Sequence, residues 1–359
     1  MLALQFLVLP GCGKSHEDRV FHADHRAVLT DVGLALSVAP TGDALALTWS
    51  SGFGAIVDVH SGRLSFLPGK WASRCSWSPD GRRFTALEVK EGREATSRRV
   101  VWVDAAKLSP NGVTPWSKAP PNPDAAIYTF PRWSDNPEQF YYQATDCSVS
   151  LMDPISIHAA SVKGGDRRMV VGSLVWVERC CAANQLLFKG AVVQGERAVY
   201  VLDMGTGGRR EVLSDEHVET VSLSPRGNLV AALCLVSPDS TKSMQASRAR
   251  LLVAGLDTAK SAVLAEGTFA TMISWSPDSS TIALSRLTAG ANGASADDWT
   301  PLAMRVTGGQ AHLSDIGRGR DLQWGSDGAM YWISLRGVMA MNQHGKPRTV
   351  VRFPLEGPR

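Results

Sequence analysis

The sequence predicts an all-β protein in which one four-stranded antiparallel unit recurs, and three observations lead to this prediction. First, the stretch CSWSPDGRRF (75–84) returns as ISWSPDSSTI (273–282). Second, apolar and polar residues alternate on both sides of the motif, as they do in strands with one buried face. Third, related copies recur at intervals of 39 to 56 residues, which is enough chain for four short strands.

Five weaker copies of the motif complete the series. They are LSVAPTGDAL (36–45), PRWSDNPEQF (131–140), VERCCAANQL (177–186), VSLSPRGNLV (221–230) and LQWGSDGAMY (322–331). The fourth copy along the chain is degenerate, because the charged Arg179 stands where the other copies carry an apolar residue. We therefore predict seven blades, or six if the fourth copy does not form one.

Each copy is predicted to be the hairpin between the first two strands of a unit. An apolar strand ends at Trp-Ser, and Pro then sets φ at the first turn position. The Asp side chain hydrogen-bonds to the backbone two residues on, and Gly adopts a positive φ. Seven positions separate Trp77 from Phe84 and Trp275 from Ile282, which pairs these positions across the hairpin. Two further strands follow, such as GAIVDV and RLSFLP after the first copy.

Four-stranded blades at this period are what a β-propeller requires. We expect a single propeller over residues 33–353 and a tail at 354–359, the alternative being a β-sandwich with chance similarity between turns. The ring is expected to close by pairing between terminal strands, with 20–32 as a candidate closing strand. The repeated tryptophans are expected to pack between blades rather than to form a ligand cage.

SWSPDGRRF and SWSPDSSTIAL resemble the WD40-like Trp-Ser-Pro-Asp-Gly repeats of TolB-type propellers, and the resemblance extends over about 33 to 353. The same repeat is similar to that in the propeller half of prolyl-oligopeptidase-family peptidases. The resemblance implies the fold and little about function, because the motif is the turn that builds the blade. This sequence differs from those families in two respects. TolB proteins carry a further N-terminal α/β domain, whereas about 20 residues precede the first blade here, and the G-x-S-x-G motif of the peptidases is missing.

The apolar run MLALQFLVLP ends in Leu9, Pro10, Gly11 and Cys12. This resembles the lipobox of bacterial lipoproteins, although Pro10 is unusual there and no Lys or Arg precedes the run. The resemblance implies a signal peptide at 1–11, a diacylglycerol on Cys12 and a linker at 12–32. Because Gly13 rather than Asp follows Cys12, it also favours the outer membrane, on the periplasmic side of the bacterial envelope. The alternative is an apolar first strand with an incidental cysteine.

Composition excludes several classes of protein. The net charge of +3 is too small to indicate nucleic-acid binding, and no apolar run approaches the length of a membrane span. The six cysteines have neither zinc-site nor disulfide spacing, so buried thiols are expected for most. His22 and His25 could supply two zinc ligands, but no third lies close in sequence, which favours a polar linker. We expect no metal and no cofactor.

The candidate binding residues lie in long predicted connections. In a propeller, the short Pro-Asp-Gly-type turns share one face, here called the short-turn face. The connections between second and third strands and between blades share the opposite one, the long-loop face. The longest predicted connections span 89–99, 109–125, 156–171, 237–250 and 288–301. Because Arg and Trp are enriched in binding hot spots and loops carry function, we select from them Arg93, Arg98, Arg99, Trp116, Arg167, Arg168, Arg248, Asp297, Asp298 and Trp299. The alternative is that they are solvated charges and tryptophans tucked onto blade edges.

These features together favour a non-catalytic, monomeric, lipid-anchored propeller that binds an envelope protein or peptide through its long-loop face. One alternative is a lyase or hydrolase with a site in the central channel, which would need channel-facing charged residues with shifted pKa values. Another is an intracellular interaction propeller without an anchor. The sequence assigns no catalytic residue.

Overall fold

The computed structural model describes residues 34–91, 96–114, 116, 128–144, 155–172, 174–180, 185–190, 198–203, 206–214, 218–236, 248–258, 260–270, 272–288, 296–311, 316–342 and 345–352. The predicted signal peptide, the lipid-attachment residue Cys12, the linker with its candidate closing strand, and the tail lie outside the described residues.

The described strands form seven four-stranded sheets, and the first four sheets come from the first two thirds of the chain. Sheet 1 contains β1 (Leu34–Val38), β2 (Ala44–Trp49), β3 (Gly54–Asp58) and β4 (Leu64–Phe66). Sheet 2 contains β5 (Lys70–Trp77), β6 (Arg83–Glu91), β7 (Thr96–Asp104) and β8 (Ser109–Gly112). Sheet 3 contains β9 (Tyr128–Trp133), β10 (Gln139–Ala144), β11 (Ile155–Ser161) and β12 (Asp166–Gly172). Sheet 4 contains β13 (Leu174–Cys180), β14 (Gln185–Gly190), β15 (Ala198–Asp203) and β16 (Arg209–Ser214).

The last three sheets follow the same plan. Sheet 5 contains β17 (Val218–Leu223), β18 (Leu229–Leu235), β19 (Arg248–Gly255) and β20 (Ser261–Thr268). Sheet 6 contains β21 (Ser274–Trp275), β22 (Thr281–Leu287), β23 (Trp299–Arg305) and β24 (Gln310–Ala311), with a 3₁₀ turn at Ala296–Asp298. Sheet 7 contains β25 (Arg320–Trp324), β26 (Met330–Ser334), β27 (Gly337–Met341) and β28 (Arg348–Arg352).

Every sheet is an antiparallel meander of consecutive strands. The first strand of each sheet contacts the first strand of the next, and β25 contacts β1, so the sheets follow one another around a ring. These first strands, here called the inner strands, therefore surround the central channel. This confirms the predicted all-β propeller fold, and the degenerate fourth copy does provide the first hairpin of a sheet.

The cross-strand partners agree with the repeat alignment in five copies. The pairs are Val38 with Leu45, Trp77 with Phe84, Trp133 with Phe140, Leu223 with Val230 and Trp275 with Ile282. In the other two copies the partner is displaced by one residue. Arg179 lies opposite Leu187 rather than Leu186, and Trp324 lies opposite Met330 rather than Tyr331. In the fourth copy a bulge between Val177 and Arg179 shifts the register. In the last copy the bulge lies before Gln323, away from the turn, and a turn that is one residue shorter displaces Trp324.

Serine and aspartate build the turns of the short-turn face. The Ser276 hydroxyl donates to the Asp278 carboxylate at 2.6 Å, and the Ser280 N–H donates to it at 3.1 Å. Hydrogen bonds from Ser276 and Ser280 hold the pKa of Asp278 below its ordinary value. Gly81 adopts φ of 68°, and Ser279 occupies the equivalent position at φ of 61°, where a glycine would be unstrained.

The tryptophans of the repeat pack between sheets, as expected. Trp77 lies against Phe84 with ring centroids 5.3 Å apart, and its Nε1 donates to the Ser37 carbonyl of the preceding sheet at 3.1 Å. Trp275 donates in the same way to the Ser222 carbonyl at 3.2 Å. Both indoles are buried, so they join neighbouring sheets instead of forming a ligand cage.

The described cysteine side chains are those of Cys75 and Cys234, and both are buried in the core as thiols, as predicted. Burial raises the pKa of the Cys75 thiol to about 12, against the opposing positive charge of Arg132. In the described part of the chain, no helix has the length and apolar character needed to cross a lipid bilayer.

Side chains join the last sheet to the first. The Gln323 side chain accepts a hydrogen bond from the Val38 N–H at 3.2 Å, and the Tyr331 hydroxyl donates to the Gly42 carbonyl at 3.0 Å. Sheets 1 and 7 each consist of four consecutive strands, so within the described residues no strand pairing links them. The candidate closing strand at 20–32 lies outside the described residues, so the expected closure by terminal strand pairing stays a prediction. Among the described residues, polar side chains join the two sheets.

Candidate functional site

The long-loop face carries the beginnings of the first and third strands of each sheet and the ends of the second and fourth. Strands extend into the predicted connection at 89–99 from both ends. β6 continues to Glu91 and β7 starts at Thr96, so Arg98 and Arg99 belong to a strand near this face. Arg93 lies outside the described residues.

Glu88, Arg99 and Trp116 form a contiguous cluster on this face. The Arg99 Nε donates to the Glu88 carboxylate at 2.6 Å, and the Arg99 guanidinium lies over the Trp116 ring, 4.5 Å from its centroid. Arg99 and Glu88 are largely buried, whereas 36% of Trp116 is exposed. A cation–π contact at such a site contributes about 0.5–1 kcal/mol. The cluster therefore holds a large, exposed aromatic side chain in one orientation.

The predicted acidic group of sheet 6 lies in the 3₁₀ turn. Arg318, in the connection before β25, holds this turn in place, because its Nη1 donates to the Asp297 carbonyl at 2.8 Å and to the Thr288 hydroxyl at 3.0 Å. Asp297 is exposed and Asp298 half-buried, so the turn presents carboxylates to solvent. Trp299 is only 2% exposed and packs into the protein, as the alternative interpretation held.

Arg248 begins β19 on the same face and is well exposed. Its guanidinium pairs with the Glu266 carboxylate of β20 at 2.8 Å. An exposed ion pair of this kind contributes little to stability. Arg248 therefore remains a candidate contact residue.

The prediction that Arg167 and Arg168 lie in a long connection was wrong. Residues 156–171 form most of the β11–β12 hairpin, and both arginines lie near the start of its outermost strand. The hairpin turns at Gly164 and Gly165, which have φ of 97° and 92°. Because a Gly-Gly pair between two strands is a turn signal, the sequence contained the information needed to place this hairpin. β12 begins at the short-turn face, so the two arginines lie near that face instead.

Large exposed apolar side chains are concentrated on the long-loop face. Among the described residues they are Trp116, Val236, Val263 and Leu335. Trp116 follows the last strand of sheet 2, Val236 follows β18, and Leu335 lies between β26 and β27, so all three are on this face. Val263 lies on the outer strand β20.

The inner strands carry a charged group that was not predicted from the sequence. Asp321 of β25 accepts a hydrogen bond from Arg74 of β5 at 3.0 Å and pairs with Arg320 at 3.2 Å. Asp321 has φ of 56°, a conformation that costs a non-glycine residue about 1–3 kcal/mol. Such strain occurs most often at functional sites. Arg74 and Asp321 stand three positions before Trp77 and Trp324. A charged residue at this position of an inner strand is the sequence feature that could have indicated the group.

Among the described residues, no group of three or more His, Cys, Asp or Glu side chains is placed to hold a metal ion. His22 and His25, the candidate pair in the linker, lie outside it.

The sequence matches no protein-family model and no curated protein, but solved structures resemble the chain. TolB from Acinetobacter baumannii has a TM-score of 0.52 at 14% identity, over 81% of this chain and 66% of TolB. An oligogalacturonate lyase in complex with manganese has a TM-score of 0.52 at 12% identity, over 70% of this chain and 73% of the lyase. A prolyl endopeptidase has a TM-score of 0.58 at 12% identity, over 92% of this chain and 52% of the peptidase.

This chain thus spans just under two thirds of the TolB structure and about half of the peptidase. The neighbours differ in activity, and at these identities the likeness is one of fold. Together with the Trp-Ser-Pro-Asp-Gly turns and the ring of four-stranded sheets, it shows that the chain has the β-propeller fold, similar to that of TolB.

Proposed function

We propose that this chain is a non-catalytic propeller that binds a protein or peptide partner through its long-loop face. The observation that carries the proposal is the placement of Trp116, Val236 and Leu335, three of the four large apolar side chains exposed in the described residues, on that face. Single exposed apolar residues are ordinary on a surface. Their concentration on the face with the longer connections favours a binding role.

Trp116 is the best candidate for a central contact. Tryptophan and arginine dominate binding hot spots, and Arg99 already restricts the indole. Immobilising a side chain on binding costs about 0.5–1.5 kcal/mol, so a side chain that is held beforehand reduces this cost. The surrounding sheets are rigid, and a partner would therefore need to order only the loops.

The proposal includes a lipid anchor on Cys12 and a place in the bacterial envelope. Its support is the lipobox-like sequence from Leu9 to Cys12. Each buried methylene of an attached acyl chain contributes about 0.8 kcal/mol to membrane binding, so a diacylglycerol would hold the propeller at the bilayer.

The geometry gives less support to a channel enzyme. The Asp321 carboxylate uses one oxygen for Arg74 and the other for Arg320, which is an arrangement suited to holding charge in place. A general acid or base needs an oxygen that can reach a substrate proton. We therefore favour binding over catalysis at this position also.

Site-specific photo-cross-linking in cells tests the partner-binding face. A photoreactive amino acid would replace Val236 or Leu335 on the long-loop face, or His60 or Lys107, which are exposed on the short-turn face. We expect adducts of defined size from the first pair alone. Trp116→Ala should reduce their yield, whereas Val263→Ala, at an exposed apolar residue of an outer strand, should not. Equal yields from both faces would contradict the proposal.

Metabolic labelling with a fatty acid, combined with cell fractionation, tests the anchor. The parent protein should carry label and sediment with membranes, and Cys12→Ala should lose both properties. If neither protein is labelled and both are soluble, the anchor is excluded while the binding face stays open to the cross-linking test.

A further inference from the structure

Within the described residues, an asparagine is followed by a glycine at Asn111 and Gly112 alone. They end β8, the outermost strand of sheet 2, which pairs on one side only, with β7. Gly112 is exposed and Asn111 is half-buried. The backbone nitrogen after an asparagine can attack the carbon of its side-chain amide, and glycine hinders this attack least because it has no Cβ. This pair of residues can therefore react without an enzyme.

The backbone N–H of Gly112 points away from the sheet. The next residue, Val113, donates its N–H to the Val100 carbonyl of β7 at 2.9 Å, and successive residues of a strand turn their N–H groups to opposite sides. Pro110, two positions before Gly112, has no N–H and occupies the same kind of outward position. The attacking nitrogen thus lies at the open edge of the sheet, where no hydrogen bond to β7 holds it.

Arg99 gives a physical reason for the glycine at this position. A Cβ atom on residue 112 would lie 2.7 Å from the Arg99 Nη1, so a larger residue would displace the guanidinium. This is the guanidinium that pairs with Glu88 and lies over the Trp116 ring. The packing of Arg99 on the long-loop face therefore favours the residue that makes Asn111 labile.

The contacts of Asn111 oppose the reaction only weakly. Attack requires rotation of the Asn111 backbone, which breaks its pairing with Trp102 of β7. The Asn111 Nδ2 also donates to the Ser109 carbonyl at 3.1 Å. β8 has four residues, none of them buried, and short outer strands of this kind open locally at low cost. These contacts slow the reaction without preventing it.

We propose that Asn111 deamidates spontaneously through a cyclic imide with Gly112, and that the product loosens the contact between Arg99 and Trp116. The Gly112 nitrogen bonds to the Asn111 Cγ, the bond from Cγ to Nδ2 breaks, and ammonia leaves with the proton that the Gly112 nitrogen loses. Water then adds to one of the two imide carbonyls and opens the ring. One opening gives aspartate, and the other gives isoaspartate, whose main chain is longer by one methylene.

Isoaspartate acts on the long-loop face through Gly112. The added methylene shifts Gly112 along the strand, and Arg99 packs directly against this glycine. The guanidinium then moves, and Trp116 loses the contact, 4.5 Å from guanidinium to ring centroid, that holds its orientation. The deamidation does not rest on the proposed partner binding, whereas a decline of binding with the age of the protein would.

Peptide mapping by mass spectrometry tests the reaction in the folded full chain. Samples kept at neutral and at mildly alkaline pH are digested at intervals, and the fraction of Asn111 converted to aspartate and isoaspartate is measured. We expect this fraction to rise with time, and faster at the higher pH, because base removes the proton of the Gly112 nitrogen. A synthetic peptide spanning 107–116 measures the same reaction without the fold. If Asn111 stays intact in the folded chain while the peptide converts, the proposal is overturned.

Two asparagines in the same digests are internal controls. Asn136 precedes Pro137, which has no N–H to attack with. The N–H after Asn228 belongs to Leu229 and donates to a serine hydroxyl at 3.1 Å. Both asparagines should stay unconverted in the folded chain. Equal conversion at all three positions would contradict a specific site at Asn111.

Fluorine NMR of protein labelled with fluorotryptophan tests the effect on Trp116, whose resonance is identified by its loss in Trp116→Phe. In aged parent protein, a new Trp116 line should grow in proportion to the isoaspartate fraction. Asn111→Gln, which would have to close a larger ring, should keep a single line, and Trp275, buried in sheet 6, should not respond. An unchanged Trp116 line in converted protein would overturn the effect on the long-loop face. Neither measurement needs a partner, so both are independent of the proposed function.

Discussion

Gln323 of β25 accepts a hydrogen bond from the backbone N–H of Val38 in β1, 3.2 Å away, and so joins the last sheet to the first. Its amide nitrogen also donates to the Leu36 carbonyl. One side chain therefore satisfies two backbone groups of the inner strand across the junction. In the described residues this junction depends on such contacts, because no strand is shared between the two sheets.

At other junctions between sheets, a serine hydroxyl accepts the corresponding hydrogen bond from a backbone N–H. The Trp324 N–H donates to the Ser274 hydroxyl of the preceding sheet at 2.9 Å, and the Trp133 N–H donates to Ser76 at 3.3 Å. Gln323, like Ser274 and Ser76, immediately precedes the Trp324 position of the repeat. At the end of the ring, the repeat thus uses a longer side chain that makes one bond more.

Gln323→Leu should destabilise the ring at its junction. The substitution keeps the size of the side chain but leaves the Val38 N–H and the Leu36 carbonyl without their partner. Each unsatisfied buried group costs about 1–3 kcal/mol, so we expect a loss of about 2–4 kcal/mol in the free energy of unfolding. Denaturant unfolding measures the loss, and hydrogen exchange should accelerate in residues 34–38.

Ser274→Ala provides the matched control, because it removes a single bond at an internal junction. We expect a loss of about 1 kcal/mol and unchanged exchange in 34–38. If both variants lose the same stability and neither changes exchange in 34–38, Gln323 has no special role in closure.

Tyr331 makes the same junction sensitive to alkaline pH. Burial, reinforced by the negative charge of Asp327, raises the pKa of Tyr331 to about 12, above the value of about 10 in an unfolded chain. A raised pKa contributes stability that is complete below about pH 10 and is lost as the pH approaches the folded value. Tyr331→Phe should therefore lose stability less steeply than the parent between pH 10 and 12.

Unfolding midpoints measured at pH 9 and pH 11 check this expectation. At pH 9, Tyr331→Phe should be less stable by about 1 kcal/mol, because the hydrogen bond to the Gly42 carbonyl is gone. Parallel pH profiles for the two proteins would show that the hydroxyl of Tyr331 does not titrate with unfolding.

The fold was predictable because its signals are local. Each Ser-Pro-Asp-Gly-type turn is specified by residues within a few positions, and the structure places Asp80 and Asp278 in the hydrogen bonds that such turns require. The spacing of Trp77 and Phe84 gave the correct register for the same reason. In the last copy the register is displaced because the turn is shorter: the Gly325 N–H donates to the carbonyl of Ala329, four residues further along the chain.

The charged group on the inner strands and the side-chain contacts between sheets 7 and 1 were not predictable, because they join distant parts of the chain. Arg74 and Asp321 are separated by 247 positions, and neither resembles a motif. Of the residues predicted for the long-loop face, Arg99 and Trp116 are in contact, since Arg99 lies near the start of β7 and Trp116 follows β8 in the same sheet. Trp299 is buried beside a 3₁₀ turn that is bonded to Arg318, and composition does not reveal such a tertiary contact.

The repeated tryptophans should differ in their contributions to stability. Trp77 and Trp133 pack similarly, each 5.3 Å from its phenylalanine, but only the Trp77 indole has a hydrogen-bond acceptor among the described residues. Replacement by Phe removes similar apolar area from both. Trp77→Phe also breaks a hydrogen bond, so it should cost about 1 kcal/mol more than Trp133→Phe. Equal losses in urea unfolding would mean that the bond to the Ser37 carbonyl adds nothing.

Asp278 should make the sixth sheet sensitive to acid. Hydrogen bonds from Ser276 and Ser280 lower its pKa below the value of the unfolded chain, which is about 3.9. A lowered pKa contributes stability that is complete above the unfolded value and is lost as the pH falls through the folded one. Asp278→Asn should therefore be less stable than the parent at pH 7, by about 0.5–1.5 kcal/mol, and this difference should shrink as the pH falls below about 3.9. Ser280→Ala keeps the carboxylate but removes a donor at 2.8 Å, and its deficit should fade over the same range. A deficit that is independent of pH in both variants would show that the turn is held by its backbone conformation and not by the carboxylate.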